Sequence, residues 1–72
     1  MYKVIGFEFF SGKDGRQWAN LFVGYVDQNV KGLKCEKIFT SRSLIPNGLE
    51  VGCDINISIG LDKRIISITI DK

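Results

Sequence analysis

The sequence predicts an all-β domain, a small five-stranded antiparallel barrel of OB-like type, with an SH3-like barrel as the alternative. Three observations predict it. Val51, Cys53, Ile55, Ile57 and Ile59 alternate without a break with Gly52, Asp54, Asn56 and Ser58, which is the pattern of a strand with one wet face. β-Branched and aromatic residues dominate the other extended stretches. Those stretches are joined by short turns, except around Ser41–Gly48. A chain of 72 residues makes a single domain, residues 1–72. A core that small favours closure, because a barrel removes exposed sheet edges.

The first strand spans Met1–Phe10. Ile5, Phe7 and Phe9 share one face, while Tyr2, Val4 and Phe10 share the other with Glu8. A strand apolar on both sides is central or bent, and Gly6 eases a bend. Ser11–Gly15 is turn chemistry, with Asp14-Gly15 as the hairpin dipeptide. The second strand, Arg16–Asp27, separates into Ala19, Leu21, Val23 and Tyr25 on a core-like face and Arg16, Trp18, Asn20 and Phe22 on the other. Gly24 marks a possible bulge that would shift the parity after it. Gln28–Gly32 is a loop, and Leu33–Thr40 a third strand. In Ser41–Gly48, Pro46 blocks an inner strand and Asn47-Gly48 suits a turn with positive φ. Leu44 and Ile45 pin this segment over the end of the barrel. A C-terminal hairpin follows, Val51–Ile59 and Arg64–Asp71 around Gly60–Lys63. In its second strand Ile66, Ile68 and Ile70 point inward and Ile65 outward, toward a partner subunit. Phe7, Phe9 and Phe39 are expected in the core, and Cys35 and Cys53 as buried thiols.

Composition excludes several functional classes. Ten Lys and Arg against eight Asp and Glu give a net charge of +2, too little to coat duplex DNA through charge alone. Between Lys31 and Arg42, however, four cations (Lys31, Lys34, Lys37, Arg42) face one acid, Glu36. Histidine is absent, and the two cysteines have no CxxC spacing, so a zinc site has no ligand set. No phosphate loop, Ser-His-Asp set or HExxH helix occurs, and no two carboxylates are spaced for acid–base work. The expectation is a protein that is not an enzyme and holds no cofactor or metal. No apolar run is long enough to span a bilayer. The N-terminus reads as strand rather than signal peptide, and two cysteines fit a reducing, cytoplasmic location. A domain this small gains stability by self-association, so a homodimer is expected.

The candidate site lies in Ser11–Asp27, SGKDGRQWANLFVGYVD. Its turn sets Lys13, Arg16 and Gln17 beside the only tryptophan of the chain. Cations for phosphates and flat apolar surfaces for unstacked bases are what a single-stranded nucleic-acid platform needs. The same residues also fit an ordinary hairpin with a buried tryptophan. Arginine and asparagine on Trp18's face favour a ligand, since in a core they would need buried partners. Tyr25 shares parity with Ala19, Leu21 and Val23 and belongs with the core.

The run Gly15, Arg16, Gln17, Trp18, then Tyr25, Val26, Asp27, followed later by Asn47-Gly48-Leu49 before the C-terminal hairpin, resembles the small helix-destabilising single-stranded DNA-binding proteins of filamentous phages. The spacing from the aromatic to Tyr-Val-Asp is one residue shorter here, and the family's binding tyrosine in the middle connection has no match beyond Phe39 and Leu44. The resemblance implies an OB-like barrel, a homodimer, and sequence-tolerant binding of single-stranded nucleic acid, DNA more than RNA, in a phage or other mobile element. It implies phosphate contacts from Lys13 and Arg16 and a base stacked on Trp18. Phe22 or Tyr25 would extend the stack, Asn20 shares the face, and Lys34, Lys37 and Arg42 would line the groove. The competing expectation is a small β-barrel that docks a protein or peptide.

Overall fold

The computed structural model describes residues 1–71. Five strands, β1 (Tyr2–Ser11), β2 (Gln17–Val26), β3 (Leu33–Ser41), β4 (Asp54–Ile59) and β5 (Ile65–Ile70), form one antiparallel sheet in the order β3-β2-β1-β4-β5. The all-β expectation of five antiparallel strands holds. The closed barrel does not: β3 and β5 remain edges and exchange no ladder hydrogen bonds. A 3-10 turn, Arg42–Leu44, bridges that gap. Ser41 caps it by accepting a hydrogen bond from Ser43 N.

The core is built where the alternation predicted it. Ala19, Leu21 and Val23 are fully buried. Across the ladder Val4 meets Val23, Phe7 meets Leu21 and Phe9 meets Ala19; on the other side Leu21 meets Ile38 and Ala19 meets Thr40. Ile55, Ile68 and Leu49 complete the cluster, and Leu44 and Ile45 pack against it as expected.

The register of β1 and β2 shifts between Val4 and Gly6, leaving Ile5 as a bulge. That single extra residue explains the impure parity of β1, because it puts Val4 and Phe7 on the same inward face. The bulge lies in β1, not at Gly24 as expected. Gly24 instead supplies the space: a Cβ there would lie 3.0 Å from Ile5 Cδ1 and 3.2 Å from Leu33 Cδ1.

Several side chains depart from the simple alternation. The fourth strand begins at Asp54, not Val51, because Gly52 turns the chain with φ +94° and leaves Val51 exposed. The peptides of Gly52 and Cys53 still exchange hydrogen bonds with Val4, each at 2.8 Å. A second irregularity pairs Ile59 with Ile65 and Ser58 with Ser67. Ile66 is therefore the unpaired residue and is exposed, whereas Ile65 packs on the core, reversing the expectation for both. Phe9 and Phe39 are exposed rather than buried. Cys35 is an exposed free thiol on the edge strand, and only Cys53 packs toward the core.

Tyr25 lies on the inward side of β2, against Tyr2 edge-on at 5.5 Å. Its hydroxyl donates to Glu36 Oε1 at 2.6 Å. That hydrogen bond, then desolvation, then the negative charge of Glu36 push the phenol up to about 12.

Candidate nucleic-acid interface

Because Ala19, Leu21 and Val23 point inward, Trp18, Asn20 and Phe22 stand on the outer face of β2. The ladder places Phe39 opposite Asn20, Lys37 opposite Phe22 and Phe10 opposite Trp18. The result is a patch of three aromatic rings, one from each of three strands, with Phe22 further along the same face. Trp18 stacks on Phe39 with centroids 5.1 Å apart and planes at 26°, and Phe10 lies 6.0 Å from Phe39. Phe39 is 56% exposed, Phe10 39% and Phe22 37%. Trp18 is half-buried, with the chain at Gly12 close against its indole: a Cβ on Gly12 would lie 2.9 Å from Nε1.

Two turns flank the patch, and they are the same structure built twice. Gly12-Lys13-Asp14-Gly15-Arg16 links β1 to β2, and Gly60-Leu61-Asp62-Lys63-Arg64 links β4 to β5. In each, the first glycine N–H donates to the arginine carbonyl, at 2.7 and 2.8 Å. The fourth residue N–H donates back to the glycine carbonyl, at 3.1 and 3.0 Å. The aspartate Oδ1 accepts from the arginine N–H, at 3.1 and 3.2 Å, and its other oxygen pairs with arginine Nε, at 3.1 and 3.6 Å. Three-residue hairpin loops of this kind end in a left-handed residue, for which glycine is preferred. Gly15 fills that position in the first turn with φ +81°. In the second it is Lys63, with φ +64°, the one non-glycine residue of positive φ among the described residues.

Lys63 and Arg64 reach the aromatic patch. With Trp18, Phe39, Thr40, Ser41, Leu44 and Ile65 they line a cleft of about 470 Å³ along the open gap between β3 and β5. The cleft exists because the sheet does not close. A left-handed lysine costs on the order of 1 kcal/mol. Lys63→Gly should therefore raise the unfolding free energy by about that amount in a urea titration while weakening binding of anions in the cleft. A gain in stability with unchanged binding would remove Lys63 from the site.

The residues expected at the site divide into groups. Trp18, Phe22, Asn20 and Lys37 share the outer face, and Lys13 and Arg16 sit in the turn beside it. Asn20 is already engaged, donating from Nδ2 to Glu8 Oε1 at 2.8 Å. Arg16 is held by Asp14, an exposed pair worth little in stability. Tyr25 and Lys34 go elsewhere: they pair with each other across β2 and β3 on the opposite face, with Lys34 Nζ 3.9 Å from Asp27. Arg42 also leaves the patch. Its guanidinium lies over the Phe9 ring, 4.4 Å from the centroid, and Nη1 donates to Gln17 Oε1 at 2.9 Å.

Sequence reasoning missed Phe10, Phe39, Lys63 and Arg64. For the first two the bulge at Ile5 and the register of β3 hid the face. For the last two the signal was in plain view, in the shared Gly-x-Asp-x-Arg spacing of the two turns. No helix among the described residues is long and apolar enough to cross a membrane. Comparison with family models, with curated proteins and with solved structures finds no match.

Proposed function

We propose that this protein binds single-stranded nucleic acid, DNA in preference to RNA, on the outer face of β2 and β3, with little dependence on base sequence. The observation that carries the proposal is the cleft itself, where the stacked pair Trp18 and Phe39 meets Lys63 and Arg64. Bases would stack on the aromatic rings, which accept any base because every base has a π-face. Phosphates would run past Lys13, Arg16, Lys63, Arg64 and Lys37. Glu8 stands in the patch beside Asn20, so charge favours a path along the gap side rather than across β1.

The strand order supports an OB-like reading, since β3-β2-β1-β4-β5 is the order a five-stranded OB barrel would have if it were opened between its third and fifth strands. In OB-folds ligands lie on strands 2 and 3 between the first and last hairpin loops, which are here the two matched turns. The resemblance to the filamentous-phage proteins belongs to the same proposal, as do a phage or mobile-element context, a cytoplasmic location and a homodimer. The exposed area, 5403 Å², supports self-association. A compact monomer of 8.1 kDa is expected to expose about 4,500 Å².

Titration with oligo-dT tests the proposal. Trp18 emission should be quenched, and the affinity should fall as salt rises, since phosphate contacts release counterions. No quenching and no complex at low salt would remove it. Sedimentation of the free protein should give twice the chain mass; a monomer at every concentration would remove the dimer. A second reading, a surface that docks a peptide, is favoured by the acids Glu8, Asp14 and Asp62 around the rings, and it gains if oligo-dT does not bind.

A further inference from the structure

The opposite face of β1 carries a second pocket that the aromatic patch does not use. Phe7 and Phe9 point to the side of Leu21 and Ala19, away from Phe10 and Trp18. With Arg42, Ile45, Pro46, Asn47, Gly48 and Leu49 they line a hollow of about 260 Å³. Pockets that take drug-sized ligands run from about 300 to 1,000 Å³, so this one, just below that range, takes part of a nucleotide and leaves the rest in solvent.

Its chemistry is specific. Phe7 and Phe9 lie 5.6 Å apart at 48°, presenting two tilted apolar rings. Arg42 is fixed from two sides, by the Phe9 ring and by Gln17 Oε1. No carboxylate lies within ion-pairing distance of it among the described residues, unlike Arg16 and Arg64, each held by an aspartate. A guanidinium has five N–H donors, and the bond to Gln17 uses one. The far wall is the Asn47-Gly48 turn, where φ +85° at Gly48 and open space around its missing Cβ leave the peptide accessible.

We propose that this pocket binds a nucleoside monophosphate group, with its base against Phe7 and Phe9 and its phosphate on Arg42. The group has two possible sources, a free nucleotide or the phosphorylated end of a strand. The site does not depend on the outer-face proposal, because no residue lines both hollows.

Backbone and aromatic-ring NMR spectra of the full chain, titrated with dTMP and separately with thymidine, test it. Expected are shifts at Asn47, Gly48 and Leu49 amides and at the rings of Phe7 and Phe9, given by dTMP and much weaker with thymidine. Arg42→Gln should weaken the dTMP response about tenfold, as loss of a charge-assisted contact does. Trp18→Ala should leave it unchanged even if it abolishes oligo-dT binding, which separates failure of one site from failure of the other. Octamers of dT with and without a 5′-phosphate assign the source. Shifts at Gly48 that need the 5′-phosphate identify a strand end, and shifts from dTMP alone identify a free nucleotide. Equal responses to dTMP and thymidine, shifts confined to Trp18 and Phe39, or no shifts at about 10 mM dTMP would overturn the proposal. At that concentration a site with a Kd of about 1 mM would be roughly nine-tenths filled.

Discussion

Replacing Trp18 with alanine should weaken binding of oligo-dT by about 5- to 150-fold while leaving the fold intact. The magnitude follows from base–aromatic stacking, worth roughly 1–3 kcal/mol per base. Trp18 is the ring that brings the others together: it stacks on Phe39 and borders the cleft that also holds Lys63 and Arg64. Removing it takes away one platform and leaves the Phe39 ring without its neighbour, so the loss should exceed that of Phe22→Ala, whose ring stands apart near the Ile5 bulge. The fold should survive because Trp18 is only half-buried and outside the core cluster, which lies on the other face of β2. Anisotropy of a labelled oligo-dT gives the affinity, and a thermal melt followed by circular dichroism gives the stability. A variant that melts far below the parent with its oligo affinity intact would mean that Trp18 serves packing instead.

Leu21→Ala should do the reverse, destabilising the protein by about 2–5 kcal/mol, the range for a fully buried leucine. Leu21 has no exposed surface and sits between Phe7 and Ile38 in the ladder. A 72-residue chain has on the order of 4–11 kcal/mol of stability in all, so one truncation removes a large share of it. The melting temperature should fall by at least about 10 °C. Saturating oligo-dT, at about 100 times its Kd, should offset roughly 2.7 kcal/mol of that loss by mass action, so the variant's melt should rise on addition of ligand. A drop of less than about 1 kcal/mol would contradict the packing described for the core.

The fold was legible where period-2 alternation was clean. Ala19, Leu21 and Val23 were identifiable as core from the sequence, as were the positions of the turns. The parity errors share one physical origin. A single inserted residue inverts every side chain beyond it, and bulges at Ile5 and Ile66 therefore misplaced residues whose own pattern looked regular. The open gap was not legible either, because whether β3 meets β5 is a long-range property that no local pattern encodes. Of the candidate site, the shared face of Trp18, Asn20 and Phe22 was legible from strand parity, whereas Lys37 came from the charge count over Lys31–Arg42 and from the resemblance. Phe39 was hidden because an exposed phenylalanine on an edge strand is indistinguishable in sequence from a buried one. Arg42 was expected to line the groove with Lys34 and Lys37, but the 3-10 turn swings it to Phe9 on the opposite face.

The ladder between β1 and β4 is short. It pairs only Tyr2 with Ile55 and Lys3 with Asp54, supported by the hydrogen bonds of Gly52 and Cys53 to Val4. β1, β2 and β3, by contrast, are paired along most of their length. A sheet with so narrow a waist should bend there first, against the core contacts of Ile55 and Ile68. The β4–β5 hairpin is a jaw that carries Lys63 and Arg64, and β2 with β3 is the anvil that carries Trp18 and Phe39. Hydrogen exchange should release the β4–β5 amides ahead of those of β1 and β2, and a bound strand bridging the two sides should slow them most. If all five strands exchange together, the sheet moves as one body and the jaw is rigid.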